Sequence, residues 1–412
     1  MRRLAVIVTA LLAMLPATAA AQDEATMVKR LARYMRGAGA YSGAYVVDVS
    51  GDRPRAVFRW RQKRPRILAS NTKLFTTTAA LSRFGVQGSV PTEVLATGEV
   101  DAEGVLGGSL YLRGGGDPTF GSRRFTRRSY GGGATVQDLA ALLVNAGVQR
   151  ITGRVYGDES AFDSLRGGPD SGYGISPWVG PLSALSYNRG LFTESGRGFQ
   201  ANPPVFAAAR LDDALEAAGV PVRLKPRPGV TPTGARVLAG VESPPMERLI
   251  KLTNKPSDNF FAEMLLKDLA HLAAGAGTTA AGARIAVAHA RALGARATLV
   301  DGSGLSRANR ASPLSVVRLL SAIYRSDDFD ALVGSLPIAG SDGTLFDRMR
   351  RGPAHRRCVG KTGTLSNVSA LSGYCEAQSG DNYAYSILMN GVYPTSARRL
   401  QDRMLQAIAA LG

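Results

Sequence analysis

The sequence contains few of the residues that bind metal ions or carry redox chemistry. Its 412 residues include two cysteines, Cys358 and Cys375, and three histidines, His271, His289 and His355. Zinc sites use about three or four such ligands at short, recurring spacings. These residues show no such spacing, which argues against a zinc peptidase. We therefore expect the protein to work without a metal ion or another cofactor.

Acidic residues are scarce relative to basic ones. The chain has 32 Asp and Glu against 50 Lys and Arg, which gives a formal net charge of +18. The basic residues occur in scattered groups and do not form one arm with interleaved aromatic residues, so no nucleic-acid partner is predicted. A positive surface of this kind suits an anionic cell wall or membrane surface. Peripheral association with the cell envelope is therefore predicted.

Long apolar runs are also missing. After the N-terminal region no stretch reaches the roughly 18 unbroken apolar residues of a membrane-spanning helix. A shorter apolar run follows Arg2 and Arg3 and precedes small residues that end at Ala21. This order is typical of a secretory signal peptide. We predict that residues 1–21 are a signal peptide and that the protein is exported, to a periplasmic or extracellular, cell-wall-associated location.

The clearest chemical signal lies in Ser70-Asn-Thr-Lys73. A polar cluster before an Ala- and Leu-rich run predicts a helix that begins near Ser70. Residues three apart are neighbours on a helix, so the Lys73 amine can reach the Ser70 hydroxyl. The free N–H groups at a helix start can also bind a developing oxyanion. These residues could therefore supply a nucleophile, a base and part of an oxyanion hole.

A second motif, Ser257-Asp-Asn259, lies between two predicted helices. A loop between two core helices can direct the Ser257 hydroxyl and the Asn259 amide into a cleft. Ser186-Tyr-Asn188 has the same pattern but lacks a long amphipathic helix beside it. Ser257 is therefore the preferred candidate.

The C-terminal part predicts an antiparallel meander followed by a helix. The predicted strands cover residues 358–365, 370–375 and 383–389, and the helix covers 396–411. The first of these strands carries a third motif, Lys361-Thr-Gly363, followed by Thr364.

The catalytic roles follow from the residue types. Lys73 must be neutral to accept the Ser70 proton, and Lys361, a second cation across a partly desolvated cleft, is expected to lower the pKa of Lys73. Ser257 can relay a proton between Lys73 and a leaving amine. Ser70, Lys73 and Ser257 are therefore the predicted catalytic residues.

A second set of side chains is predicted to bind substrate. Asn259 offers a donor and an acceptor to a peptide amide. Gly363 leaves room for a substrate lying beside the strand, and the Thr364 N–H completes an oxyanion hole with that of Ser70. The predicted substrate-binding residues are Asn259, Lys361, Thr362, Gly363 and Thr364.

The three motifs in this order are the signature of β-lactamases and penicillin-binding proteins. Ser70 and Ser257 lie 187 positions apart, far more than β-lactamases place between these motifs, and glycine-rich turns and short strands fill the interval. The chain therefore resembles the D-alanyl-D-alanine carboxypeptidase/endopeptidase family typified by penicillin-binding protein 4. Further segments carry the resemblance: Gly116-Asp-Pro-Thr119, Ser160-Ala-Phe-Asp163, Ser183-Ala-Leu-Ser186, Asp301-Gly-Ser-Gly-Leu305 and Gly340-Ser-Asp-Gly-Thr344.

The resemblance implies an α/β (α+β) fold: a β-lactamase/transpeptidase-like core, with an antiparallel sheet flanked by helices, and an inserted α/β domain. Residues 22–92 and 238–412 would form the core, and residues 93–237 the insertion. The implied partners are peptidoglycan stem peptides, cleaved at the terminal D-Ala or at cross-links, and β-lactam antibiotics, which would acylate Ser70. Only about fifteen residues, 191–205, stand where longer relatives carry a further small β domain.

Two other functions stay open at this point. The first is a serine β-lactamase or esterase on the same core, which would usually lack the large insertion. The second is a non-catalytic wall-binding homologue, which would be expected to lose Ser70 or Lys73. Carboxypeptidase and endopeptidase activity are both compatible with the motifs.

The two cysteines are candidates for a disulfide. If the hairpin turns between Ser366 and Asn367, Cys358 and Cys375 face each other on adjacent strands, and export to an oxidising compartment permits the bond. A one-residue bulge would instead leave two buried free thiols.

Acidic residues at turns form a last group. Asp117, Asp301 and Asp342 each stand beside Gly or Pro, which favours a role in turns over a role in a cleft.

Overall fold

A computed structural model describes residues 15–412, with side chains described from residue 23 onward. Most of the predicted signal peptide, residues 1–14, lies outside the described residues. The helices are α1 (Leu15–Arg36), α2 (Thr72–Phe84), α3 (Arg123–Tyr130), α4 (Val136–Asn145), α5 (Pro203–Ala217), α6 (Met246–Asn254), α7 (Asn259–Ala274), α8 (Thr279–Ala292), α9 (Pro313–Ile323), α10 (Phe329–Ser335) and α11 (Pro394–Ala409). Within this part of the chain, no helix has both the length and the hydropathy needed to cross a membrane.

The strands form three sheets. They are β1 (Ser42–Asp48), β2 (Arg55–Trp60), β3 (Arg66–Ile67), β4 (Pro91–Ala96), β5 (Val105–Leu106), β6 (Leu110–Gly114), β7 (Arg150–Asp158), β8 (Val222–Pro228), β9 (Arg236–Glu242), β10 (Ala297–Thr298), β11 (Arg310–Ala311), β12 (Cys358–Leu365), β13 (Val368–Glu376) and β14 (Asn382–Asn390).

The largest core surrounds a five-stranded antiparallel sheet with the order β12-β13-β14-β1-β2. Successive side chains of a strand point to opposite faces. Tyr385 and Ile387 of β14 therefore join α1 and α11 on one face, whereas Ala384 and Leu388 join α2, α7 and α9 on the other. The predicted fold class, an antiparallel sheet flanked by helices, is confirmed.

A second, mixed sheet contains the strands between Pro91 and Glu242, in the order β5-β7-β6-β4-β9, with β8 beside β7. Helices α4 and α5 cover one face through Leu139, Leu211 and neighbouring apolar residues. Helix α5 connects β7 to β8, and these two strands are parallel, as expected for an α/β unit. The sheet extends to residue 242 because β9 pairs with β4.

Short strands anchor the segment that precedes Ser70. Strand β3 pairs with β11, which pairs with β10. The segment before Ser70 is thereby joined to the loop of residues 299–309.

A buried pair of carboxyl groups lies where α7 meets the second sheet. Asp268 of α7 and Asp117 after β6 are 2% and 1% exposed, and among the described residues neither oxygen of Asp268 has a hydrogen-bond partner. Gly116 passes so close that a Cβ there would lie 1.8 Å from Asp268 Oδ1. Burial raises the pKa of Asp117 to about 7. Burial, together with the charge of Asp117, raises the pKa of Asp268 well above its ordinary value.

Replacing Asp268 with Asn is expected to stabilise the protein at neutral and alkaline pH. A carboxyl group whose pKa is raised by folding destabilises the folded state as pH rises from about 4, where the unfolded group ionises, through the pKa of the folded group. An amide does not ionise, so we expect Asp268→Asn to raise the melting temperature at pH 8 and to change it little at pH 4. Thermal unfolding at both pH values measures this, with the exposed Asp347→Asn as the control. An unchanged or lower melting temperature at pH 8 would contradict it.

Candidate active site

Ser70 lies in a single 3₁₀ turn, Ala69–Asn71, which leads into α2. The regular helix thus begins at Thr72, two residues later than predicted. Ala69 has φ = 47°, in the left-handed region that is costly for a residue with a Cβ. The Asn71 amide donates a hydrogen bond of 2.8 Å to the backbone carbonyl of Lys361 on β12. The turn that carries Ser70 is therefore held against the strand that carries the third motif.

The Lys73 amine is fully buried and makes three hydrogen bonds. Its Nζ lies 3.1 Å from Ser70 Oγ, 2.7 Å from Asn259 Oδ1 and 2.7 Å from the carbonyl oxygen of Ser303. Of its partners, the Ser70 hydroxyl is the one that can give up a proton. The predicted juxtaposition of Ser70 and Lys73 is present.

The pKa of Lys73 is lowered to about 8, and burial is the largest cause. Asp258, Glu263 and Asp301 act in the opposite direction. The sequence analysis expected the charge of Lys361 to lower this pKa, whereas burial is the larger cause. The two ammonium groups repel each other, and burial and the charge of Lys73 hold the pKa of Lys361 well below its ordinary value. Desolvation disfavours a charged amine whether or not a second cation is near.

Ser257 and Asn259 lie where α6 gives way to α7. Ser257 has φ = 64°, a conformation costing about 1–3 kcal/mol in a residue other than glycine. Asp258 caps α7 by accepting a hydrogen bond from the Phe261 N–H and is ion-paired with Arg189. This fixed cap directs the Asn259 side chain to Lys73. Ser257 lines the same cleft but does not hydrogen-bond to Lys73, whose three contacts are those above.

The alternative motif, Ser186 and Asn188, lies in the protein interior, where Asn188 forms a hydrogen bond within the fold. Both residues are buried, and Asn188 Oδ1 accepts a hydrogen bond of 2.9 Å from the Ser122 N–H. Neither residue lines the cleft that contains Ser70.

Strand β12 places the third motif along the edge of the sheet. Lys361 is fully buried and donates to the carbonyl of Thr362 at 3.0 Å. The Thr362 hydroxyl lies 2.7 Å from that of Thr344. A Cβ at Gly363 would lie 2.9 Å from both Leu68 O and Ser70 N. Glycine is thus required here so that β12 can approach the Ser70 turn, in addition to the predicted room for substrate.

The strand register matches the one predicted for the hairpin. Cys358 stands opposite Cys375, the chain turns at Ser366 and Asn367, and a disulfide joins the two sulfurs. Both cysteines are fully buried. The bond ties the start of β12 to β13 and so restrains the strand carrying Lys361.

A loop that the sequence analysis did not place in the site supplies one contact to Lys73. The carboxylate of buried Glu263 accepts hydrogen bonds of 2.9–3.1 Å from the N–H groups of Gly302 and Ser303, and the Ser303 carbonyl accepts from Lys73. Asp301 accepts from the Gly304 and Ser306 N–H groups. Asp301 thus holds a turn, as predicted, and this turn carries the Ser303 carbonyl that contacts Lys73.

The other two acidic residues also hold turns. Asp117 accepts hydrogen bonds of 2.7 Å from the N–H and the hydroxyl of Thr119. Asp342 accepts from the Ile338 N–H at 2.7 Å and pairs with Lys255.

Residues of all three motifs line a cleft of about 610 Å³. Its lining comprises Ser70, Trp178, Ser257, Asn259, Gly304, Leu305, Thr344, Arg348, Thr362, Gly363, Thr364, Leu365, Ser366 and Arg398. The sequence analysis missed Trp178, whose carbonyl accepts from the Asn259 amide at 3.1 Å, and Arg398, which donates to the Thr364 hydroxyl at 2.9 Å. Across residues 23–412, where side chains are described, no cluster of acidic, His or Cys side chains could hold a metal ion.

The chain is similar in sequence and in fold to known proteins. The model of the D-Ala-D-Ala carboxypeptidase 3 (S13) family matches residues 26–197 and 194–411. A D-alanyl-D-alanine carboxypeptidase from Actinomadura sp. (strain R39) is 30% identical, with 90% of this chain and 81% of the relative covered. Penicillin-binding protein 4 from Haemophilus influenzae has the same fold, with a TM-score of 0.73, 21% identity and coverage of 91% and 97%. A penicillin G-acylated predatory endopeptidase from Bdellovibrio bacteriovorus, in complex with an immunity protein, has a TM-score of 0.56, 17% identity and coverage of 90% and 93%.

The family match spans nearly all of the described chain. The alignment with the Actinomadura carboxypeptidase covers 81% of the length of that enzyme. The expectation of a serine-type carboxypeptidase is confirmed, and the β-lactamase and non-catalytic alternatives are set aside. The chain belongs to the D-Ala-D-Ala carboxypeptidase 3 (S13) family.

Proposed function

We propose that Ser70 is the nucleophile and Lys73 the general base of a D-Ala-D-Ala carboxypeptidase that also cleaves peptidoglycan cross-links. The observation that carries the proposal is the 3.1 Å separation between the buried Lys73 amine and the Ser70 hydroxyl. A pKa of about 8 leaves part of this amine neutral near pH 7, which a base must be to accept a proton.

The reaction proceeds in two transfers of the acyl group. Ser70 Oγ attacks the carbonyl carbon of the penultimate D-Ala while its proton passes to Lys73. The N–H groups of Ser70 and Thr364 stabilise the oxyanion, a contribution of about 10²–10³ in rate per donor. The C–N bond then breaks as Ser257 gives its proton to the departing amine and takes up the proton held by Lys73. Water attacks the acyl carbonyl and passes a proton to Lys73, and the ester bond breaks as that proton returns to Ser70 Oγ.

The cleft lining supports recognition of a peptide with a terminal carboxylate. Asn259 and the edge of β12 bind the peptide backbone, with Lys361, Thr362, Gly363 and Thr364 aligned along that edge. Arg398 lies beyond the oxyanion hole, on the Thr364 hydroxyl, where its guanidinium meets the carboxylate of the leaving D-amino acid.

The substrates are the stem peptides of peptidoglycan, and β-lactams acylate Ser70 in their place. A cross-link also presents a D-amino-acid centre with a carboxylate beside the scissile amide, so the same cleft serves endopeptidase cleavage. The Bdellovibrio bacteriovorus endopeptidase supports this extension as a protein of the same fold.

The proposed location follows from the substrate. Residues 1–21 direct export, and the protein acts in the periplasm or at the cell wall, associated with the envelope through its positive charge. Residues 93–237 form a domain inserted into the core. The separate sheet of residues 91–242, with its own apolar cluster, supports this division.

Product analysis tests the proposed function. Purified monomeric and cross-linked peptidoglycan fragments are incubated with the protein and with Ser70→Ala, and the products are identified by mass spectrometry. We expect loss of one alanine from pentapeptide monomers and conversion of cross-linked dimers to monomers, both absent with Ser70→Ala. If only the first product forms, the endopeptidase part is wrong. If neither forms, the proposed substrate is wrong.

A further inference from the structure

Helix α3 presents four arginines on its exposed side. Arg123, Arg124, Arg127 and Arg128 are all exposed and lie on one face because about 3.6 residues complete a helical turn. The opposite side of the helix, with Phe125, packs into the main core. We call these four residues the arginine face.

Acidic neighbours neutralise only part of this charge. Arg123 pairs with Asp138 at 2.7 Å, and Arg124 lies 3.6 Å from Glu194. The two remaining arginines have no acidic partner in the described part of the chain. Arg124 retains 82% of its side-chain exposure despite its neighbour. The arginine face is therefore free to bind an external anion.

An exposed aromatic ring belongs to a loop that contacts the start of α3 through Glu194, and this ring packs against Phe206 of α5 with 5.8 Å between the ring centroids. Phe192 is 61% exposed and belongs to a loop closed by a bridge between Leu191 and Phe199. Glu194 of this loop accepts a hydrogen bond from Ser122, the N-cap of α3, which fixes the loop to the helix. The combination of an exposed ring and clustered arginines in connected segments is typical of proteins that bind at the surface of a bilayer.

We propose that the arginine face and Phe192 dock the protein onto the surface of an anionic lipid bilayer. The guanidinium groups bind lipid phosphates, and the ring enters the boundary between headgroups and acyl chains. The exposed ring favours a bilayer over an anionic cell-wall polymer, which offers no apolar layer to receive it. This inference rests on the proposed location of the protein at the envelope and names the surface that holds it there.

Sedimentation with vesicles tests the proposal. The full chain is mixed with vesicles of phosphatidylglycerol and phosphatidylcholine in equal amounts, or of phosphatidylcholine alone. The variants are R124Q/R127Q/R128Q and F192S. The matched control is R223Q/K225Q/R227Q, which removes the same charge from exposed positions on β8. All proteins share one N-terminus, so any binding by that segment is common to them.

We expect the unchanged protein to bind the anionic vesicles only. This binding should be at least tenfold weaker in R124Q/R127Q/R128Q, several-fold weaker in F192S and unchanged in the control variant. Binding should fall steeply between 0.05 and 0.5 M salt because screening shortens the range of the attraction (Debye length about 10 Å at 0.1 M). The proposal is overturned if the two triple variants bind anionic vesicles equally, or if the unchanged protein binds neutral vesicles as well as anionic ones. It is also overturned if the unchanged protein binds duplex DNA through the arginine face in a mobility-shift assay but does not bind vesicles. The penicillin adduct should form in every variant, so failure here is distinct from failure of the proposed function.

Discussion

The Ser70→Ala variant is expected to form no covalent adduct with penicillin, whereas the unchanged protein gains the mass of one penicillin per chain. The reason is that Ser70 is the hydroxyl held 3.1 Å from the buried Lys73 amine. Removal of a catalytic nucleophile lowers turnover by about 10⁴-fold or more, so release of D-Ala from a stem peptide should disappear with the adduct. Intact-protein mass spectrometry and a D-alanine assay measure the two losses.

A serine in the same cleft provides the control. Ser366 lines the cleft and is exposed at the turn between β12 and β13, and its hydroxyl has no role in the proposed reaction. Ser366→Ala should therefore keep both the adduct and the activity. An adduct that persists in Ser70→Ala, or that disappears in Ser366→Ala, would refute the assignment of the nucleophile.

Unequal losses are expected when the two buried lysines are replaced by arginine. Lys73→Arg keeps a cation but cannot supply a neutral base near pH 7, so acylation should fall by about 10³-fold or more. Lys361→Arg should keep part of the activity because its role is to provide positive charge and orient the substrate. The rate of acylation by penicillin, measured by stopped-flow or quenched mass spectrometry, gives both values.

The pH dependence separates the role of Lys73 from a structural one. With a pKa near 8 for Lys73, the acylation rate of the unchanged protein should rise with pH and level off above about 8, as the neutral amine accumulates. Thermal unfolding of both variants checks that each still folds. Equal residual rates in two folded variants, or a rate that falls as pH rises from 6 to 8, would contradict the assignment of the base.

Much of the site was predictable because its motifs are local. The contact between Ser70 and Lys73 follows from a separation of three residues, and the pairing of Cys358 with Cys375 follows from the hairpin turn at residues 366–367. Such features depend on helix and strand periodicity, which the sequence displays directly.

The remainder depends on contacts between distant segments. Glu263 acts through the backbone of Ser303, 40 positions away, and Arg398 reaches Thr364 from the last helix. Nothing in the sequence around Glu263 or Arg398 marks these two residues. The sequence also did not indicate that burial is the largest cause of the lowered Lys73 pKa, because burial of a side chain is a property of the whole packing arrangement and not of the motif that carries it.

The order of strands in the core sheet constrains how this chain can fold. Strand β1 lies between β2 and β14, and residues 42–48 pair with residues 383–389. Closing so long a loop is entropically costly and slow. The second sheet is contained within residues 91–242, and its longest-range pairing, β4 with β9, closes a shorter loop. It can form while the chain is still being synthesised, whereas a nascent chain that ends before residue 382 lacks β14, one of the two partners of β1. The nucleophile is thus made early, and the cleft around it is completed only by the last strands.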